Sequence, residues 1–373
     1  MKTAGLVFSL VFVAIVAVPF IFIDNKNSIS LKENRTLAQF PHFMEDGKIN
    51  SGNIKKVPAM LDAYINDRFG FRDAAVSFAK KLSVTGRKKN GDVLIGKEGW
   101  LFYVNYSDGN NLSDFYKMNL FTPEEINQFI INIENRLDFC NDNGIQFLFL
   151  IAPNKHNIYS EYYPFERPQG ITRTEQIMAA LPDKLKNVVI YPRDWLIKNK
   201  RNDMPLYFET DTHWNMAGAH YAFELLYDNI KNRFLNMQFP EMRFTVEVRY
   251  DSSGDIVPMS GFTSYGKRTI PDLRPQGGWD SFYRYIKNEG TDGVITENTS
   301  KTLPKAIVYR DSFFSALEPF TSCIFSYTEY HWRFFSETEK QYILERKPDI
   351  VIWEIVERSL KAVIEAQFKP EIH

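Results

Sequence analysis

Four short apolar runs limit what this chain can become. Gln146-Phe-Leu-Phe-Leu-Ile151, Val188-Val-Ile-Tyr191, Ala306-Ile-Val-Tyr309 and Asp349-Ile-Val-Ile-Trp353 show no polar alternation. A strand covered on one face alternates, whereas an unbroken run suits a parallel sheet buried on both faces. Helical patterns separate the runs, so the expected fold is α/β, a doubly wound, mostly parallel sheet with helices on both faces. The 373 residues, 44% hydrophobic and 24% charged, are enough for a large core. Ligands of such sheets bind beyond the carboxyl ends of the strands. Asn154 and Lys155 follow one run, and Arg310, Asp311 and Ser312 follow another.

Between those two ends lies Tyr207-Phe-Glu-Thr-Asp-Thr-His-Trp-Asn-Met-Ala-Gly218, with Asp211 and His213 two residues apart. An amphipathic helix is expected from about Met216 to Phe234, with Asn215 as its N-cap. The positive end of that helix dipole disfavours a second proton on the ring, so His213 is expected neutral, as a general base with Asp211 orienting it. Ser312 at a strand end supplies the matching hydroxyl for Ser-His-Asp chemistry, and triads occur in several chain orders. A metal is not expected: His213 and His220 are seven apart, and no His-x-x-x-His or Cys pair exists. No glycine-rich phosphate loop or dinucleotide fingerprint calls for a cofactor. The net charge of −1 gives no case for nucleic acid. Cys140 and Cys323 are read as buried thiols, with a disulfide as the alternative.

The stretch from Ala4 to Ile23 is uncharged and about the ~20 residues that cross a bilayer. A cleaved signal peptide would carry a shorter apolar run and a small-residue cleavage site. The expectation is therefore an uncleaved anchor at 1–23, single-pass in the cell membrane, with the body on the periplasmic or extracellular side. A linker at 24–55 and one domain at 56–373 follow. Helices are expected over Val57–Leu82, broken at Phe69-Gly-Phe-Arg-Asp73, and from Thr122 to about Asn143, and a hairpin over Val93–Tyr103. Residues 251–300, punctuated by Gly254, Gly261, Gly266, Gly277 and Gly278, show no sustained period and read as a long loop.

Asp211-Thr-His-Trp-Asn215, Arg310-Asp-Ser-Phe313, Glu33-Asn-Arg35 with Pro41, Phe69–Asp73 and Ile95-Gly-Lys-Glu-Gly-Trp-Leu-Phe102 together resemble the AlgJ/AlgX-like family. These are alginate O-acetyltransferase-type proteins with an SGNH-hydrolase-like domain, also called DHHW proteins. Pro153-Asn-Lys155, Lys347-Pro-Asp-Ile-Val-Ile352 and Glu357-Arg358 extend the likeness. The resemblance implies an extracytoplasmic enzyme that moves acetyl groups onto hydroxyls of an exopolysaccharide through an acetyl-serine. It implies Ser312 as nucleophile, His213 as base and Asp211 as orienting acid. It also implies a membrane-bound O-acyltransferase partner that supplies the acetyl group. The Ser312 amide and Asn154 are the oxyanion candidates, with Lys155 and Arg310 as further substrate-contact candidates. Arg310 stands where the SGNH serine block usually has glycine, and a turn that needs glycine there would be strained. With no room for a carbohydrate-binding domain, the chain looks closest to the single-domain, membrane-anchored AlgJ-like type. Two alternatives remain: a carbohydrate acetylesterase, or a non-catalytic glycan-binding scaffold using Trp279, Phe282, Tyr283 and Tyr285.

Overall fold

The expected runs form four adjacent strands, from the centre to one edge, of a seven-stranded sheet in a computed structural model. It describes residues 23, 29–30, 35–41, 44–45, 48–49, 56–68, 92–105, 108–251, 254–260, 268–287 and 293–369. The strands are β1 (Gln146–Ala152), β2 (Val189–Ile190), β3 (Tyr283–Lys287), β4 (Val294–Asn298), β5 (Lys305–Tyr309), β6 (Tyr327–His331) and β7 (Ile350–Val356). Their order across the sheet is β3-β4-β6-β5-β7-β1-β2. From β6 to β2 every pairing is parallel. β4 and β3 add an antiparallel edge. The sheet is therefore mixed, with most of its pairings parallel as expected.

Successive residues of β1, β5 and β7 face opposite ways, and both faces are buried. Leu148, Leu150, Ala306, Val308, Ile350 and Ile352 pack on one side with Ala219, Phe223, Leu226 and Ile230. Phe147, Phe149, Ile151, Ile307, Val351 and Trp353 pack on the other with Phe129, Ile133, Leu137 and Val363. This two-sided burial is why those strands carry no polar alternation. Helix α1 (Pro123–Asp142) starts with a capping box, Thr122 accepting from the Glu125 amide and Glu125 accepting from the Thr122 amide. Helices α2 (Arg173–Ala180) and α4 (Leu360–Glu365) lie on the same side as α1, and α3 (Met216–Arg233) covers the opposite face.

The chain divides into two compact units: 1–91 with 257–264, and 92–256 with 265–373. In the first, the helix Val57–Arg68 holds the 37–41 segment: Arg68 Nε donates to the Ala38 carbonyl at 2.8 Å, and Asp67 accepts from the Ala38 amide. The expected continuation to Leu82, the Phe69–Asp73 motif and Glu33–Asn34 lie outside the described residues. In the second unit, Val93–Ile95 pairs antiparallel with Leu101–Tyr103, as a hairpin reading requires. Glu98 and Gly99 turn it at φ 53° and 83°.

Two expectations need correction. No helix among the described residues is long and apolar enough to cross a membrane. The longest, α1, intersperses Glu124, Glu125, Glu134, Arg136 and Asp138 with its apolar positions and covers the sheet instead. The run at 4–23 lies outside the described residues except for Ile23. The transmembrane anchor, the membrane attachment and the single-pass localisation are accordingly withdrawn, and nothing supports the membrane-bound acyltransferase partner. Secondly, residues 251–300 are not a long loop. They contain β3, β4 and the strand Arg268–Pro275, which pairs antiparallel with Phe244–Asp251. β3 is the sheet's edge, β4 buries only alternate residues, and the Phe244–Asp251 strand leaves Val246, Val248 and Tyr250 in solvent, so none carries the apolar run of a strand buried on both faces. Cys140 and Cys323 are both buried and free.

Because the Phe149 ring is fully buried between α1 and Trp353, Phe149→Ala should cost about 3–5 kcal/mol in urea unfolding. An unchanged midpoint would mean this face is not the packed core described.

Candidate active site

Ser312 sits where β5 ends. By register Tyr309 lies level with Trp353, so β7 runs three residues further and flanks the turn. Asp311 caps the short 3-10 helix Ser312–Ala316. Its Oδ1 accepts from the Phe313 amide at 2.8 Å, and its Oδ2 accepts from the Val356 amide at 2.6 Å. The turn is thereby fastened to β7. Burial pushes the Asp311 carboxyl upward against those amide bonds, and Glu354, accepting from the Asp311 amide at 3.1 Å, is raised well above the carboxylate range by its own burial and by Asp311.

The second half comes from the segment before α3. Asn215 caps the helix as expected, its side chain accepting from the Ala217 and Gly218 amides. Trp214 is fully buried and donates from Nε1 to the Phe313 carbonyl at 2.8 Å. That bond joins the histidine segment to the serine turn. Phe313 lies against the His213 ring, centroids 4.8 Å apart. Between these two anchors, His213 Nε2 is 2.7 Å from Ser312 Oγ, and His213 Nδ1 is 2.6 Å from Asp211 Oδ1. Serine, imidazole and carboxylate thus form one unbroken hydrogen-bonded series, with the imidazole between hydroxyl and acid.

The His213 environment is not the one the helix dipole alone predicts. Burial favours the neutral ring, but the Asp211 hydrogen bond and the charges of Asp211 and Asp255 outweigh it and raise the ring above its ordinary value. Asp211 is itself held low: burial works against this, and the His213 contacts and the Asp255 amide overcome it. Two nearby carboxylates therefore outweigh one helix terminus here.

Asn154 and Lys155 stand at the end of β1. The Asn154 amide donates to Glu357 at 2.8 Å, and Glu357 also accepts from Asn157, Thr174 and Tyr191. The Asn154 side-chain Nδ2 is buried and, among the described residues, has no hydrogen-bond acceptor. An unsatisfied buried donor is costly unless a ligand or water uses it. Lys155 is not open to a ligand. Its buried Nζ donates to the carbonyls of Phe208, Glu209 and Asp211, the last at 2.6 Å, and so clamps the loop that carries Asp211. Arg310 is also turned inward. It is 5% exposed, donates to the Asp311 carbonyl and Ser315 Oγ, and stacks on Trp332. It is not among the non-glycine residues at positive φ, so the missing glycine costs no backbone strain. Its expected contact with substrate gives way to internal ones.

Asp255 is the residue that sequence patterns missed. It lies 42 residues after His213, and Gly254 is its one trace: a Cβ there would come within 2.1 Å of the Thr210 carbonyl oxygen. Ligand atoms of Asp211, His213 and Asp255 lie within 4.8 Å of one another. Each carboxylate oxygen accepts an amide, hydroxyl or ring hydrogen, so the three residues form one hydrogen-bonded network. Of the aromatics considered for sugar stacking, Tyr283 is buried and Trp279 packs on Phe320, centroids 5.2 Å apart.

The sheet carries a serine, a histidine and an aspartate joined by hydrogen bonds beyond its strand ends. Residues 93–277 match the family model described as the SGNH hydrolase-like domain of the acetyltransferase AlgX, establishing homology at family level. Among solved structures, Bacillus cereus PatB1 is similar with a TM-score of 0.54 and 18% identity, over 74% of this chain and 99% of that one. The same protein with a sulfonyl adduct gives 0.55 and 17%, over 75% and 99%. The O-acetyltransferase domain of Pseudomonas putida AlgJ gives 0.43 and 17%, over 75% and 94%. The two PatB1 structures show the fold, and identities of 17–18% do not single out the AlgJ-like single-domain type. No curated protein matches the chain.

The Lys155 clamp has a pH signature. Burial, opposed by Asp211, Asp255 and Glu209, pushes the amine down to about 7 from the ordinary 10.5. Between these values the unfolded chain binds a proton that the fold does not, so this group adds stability as pH rises through that window. Lys155→Met should remove that slope; parallel stability-versus-pH curves for variant and wild type would contradict the clamp.

Proposed function

We infer that this chain is an O-acetyltransferase that moves acetyl groups onto hydroxyls of an exopolysaccharide through an acetyl-serine at Ser312. The observation that carries it is the continuous contact from Ser312 Oγ through His213 to Asp211, at 2.7 and 2.6 Å. In the first half-reaction His213 Nε2 takes the Oγ proton as Oγ bonds to the acetyl carbonyl carbon. The tetrahedral adduct collapses, and the departing donor alkoxide takes that proton from His213. In the second half a sugar hydroxyl gives its proton to His213 and attacks the acetyl carbon. Oγ leaves and recovers the proton. Asp211 holds the Nδ1 hydrogen and stabilises the imidazolium formed in each half. The Ser312 amide and the unused Asn154 Nδ2 are the proposed oxyanion donors.

An alginate-like polymer is the acceptor class proposed, following the sequence resemblance to the AlgJ/AlgX-like family. Acetyl ester hydrolysis uses the same groups with water as acceptor. The partial exposure of His213 and Asp211, 24% and 20% of their side chains, keeps that second reading in view. Product analysis with a sugar acceptor present separates the two.

Acetyl release from a chromogenic acetyl ester should fall by at least about 10³-fold in Ser312→Ala with the melting temperature preserved. In the wild type, kcat/KM should rise with pH along a limb above about 6.5, since the ring must be neutral to act and Asp211 raises its pKa. Equal rates in the wild type and Ser312→Ala would refute the proposal.

A further inference from the structure

Asp255 has no place in the triad, yet it touches every part of the segment that holds it. Its Oδ1 accepts from the Thr212 amide at 2.8 Å, and its Oδ2 accepts from Thr212 Oγ1 at 2.7 Å. The same hydroxyl oxygen lies 3.1 Å from His213 Nδ1. Its own amide donates to Asp211 Oδ2 at 3.0 Å, the oxygen that His213 does not use. Its Oδ2 is 3.6 Å from His213 Nδ1, too far for a hydrogen bond and close enough for a strong charge interaction. Gly254 brings this about, because only a residue without Cβ fits against the Thr210 carbonyl.

We propose that Asp255 is a second positioning carboxylate, which fixes the Asp211–Thr212–His213 segment for acyl transfer and adds its charge to that of Asp211 in setting the basicity of His213. The proposal rests on His213 being the general base of the function proposed above. The division of labour follows from the bonds. Asp211 spends one oxygen on the ring, and Asp255 secures the other through its amide. Thr212 is held by backbone and hydroxyl together, which leaves its neighbour His213 little freedom to turn away from Ser312. Other charged groups also act here. Asp211 and the Arg358 guanidinium act on the ring, the ring's charge works against the burial that raises Asp311, and Asp211, Asp255 and Glu209 together act on the Lys155 amine. Arg358 opposes the acids and lowers the ring. Removing Asp255 leaves one carboxylate against that cation.

The test is the ring titration of His213, followed by NMR and assigned with His213→Gln, in the full chain and in Asp255→Asn. Asparagine keeps one oxygen to accept from the Thr212 amide, meets the Thr212 hydroxyl with an NH2 donor, and loses the charge. The expected result is a fall in the His213 pKa of about 0.5–1 unit. The acid limb of kcat/KM should move to lower pH by the same amount, with kcat about tenfold lower and KM within about twofold. Asp255→Glu should restore the wild-type titration. A His213 pKa and pH limb that stay put in Asp255→Asn overturn the proposal. Should that variant fail to fold, Thr212→Val cuts the same bridge with both acids retained. It should lower kcat about tenfold at constant KM, and wild-type kcat would equally overturn the proposal. A wild-type chain without Ser312-dependent turnover removes the proposed function, and the NMR titration then still decides whether Asp255 sets the basicity of His213.

Discussion

A sheet buried on both faces has only its strand ends to present to a ligand. Here helices α1, α2 and α4 close one face and α3 closes the other, so the carboxyl ends of β1, β5 and β7 become the working edge. β5 is where the connections diverge, since β6 lies on one side of it and β7 on the other. Ser312 occupies this point, where an open α/β sheet leaves a crevice. Asp311 then fastens the turn to Val356, and Trp214 fastens it to the histidine segment. The reactive hydroxyl is thus positioned by bonds to two separate elements, while its own oxygen remains available to the imidazole.

Much of this was legible in the sequence. The apolar runs became β1, β2, β5 and β7 because burial on both faces leaves a direct trace in composition. The Thr122 and Asn215 caps marked helix starts because a side-chain oxygen followed by free amides is a local event. The same locality brought Asp211 and His213 together. What was not legible depends on distant chain. β3 is the edge strand and β4 beside it buries only alternate residues, so Arg284 and Glu297 can pair in solvent and neither strand needs an apolar run. Asp255 arrives from beyond α3 and a strand, so no spacing rule points to it. Lys155 and Arg310 looked like ligands for substrate, but Lys155 turns inward to carbonyls that only the folded chain brings near, and Arg310 turns onto its own turn and the Trp332 ring.

The electrostatic outcome follows the same division. Sequence offers a helix N-terminus beside His213, an effect that falls off within a turn. The fold adds two carboxylates within 3.6 Å of Nδ1, and these dominate. A ring held more basic than usual takes a hydroxyl proton more readily and needs a higher pH to be free of its own.

The central claim is that Ser312 Oγ carries the acetyl group. Intact-mass spectrometry of protein quenched during reaction with a chromogenic acetyl ester, followed by peptide mapping, reads this directly. The mechanism predicts one added acetyl group, located on the peptide containing Ser312 and absent from Ser312→Ala. Turnover with the acetyl group on another residue, or no acetyl-protein while ester is being consumed, would contradict it.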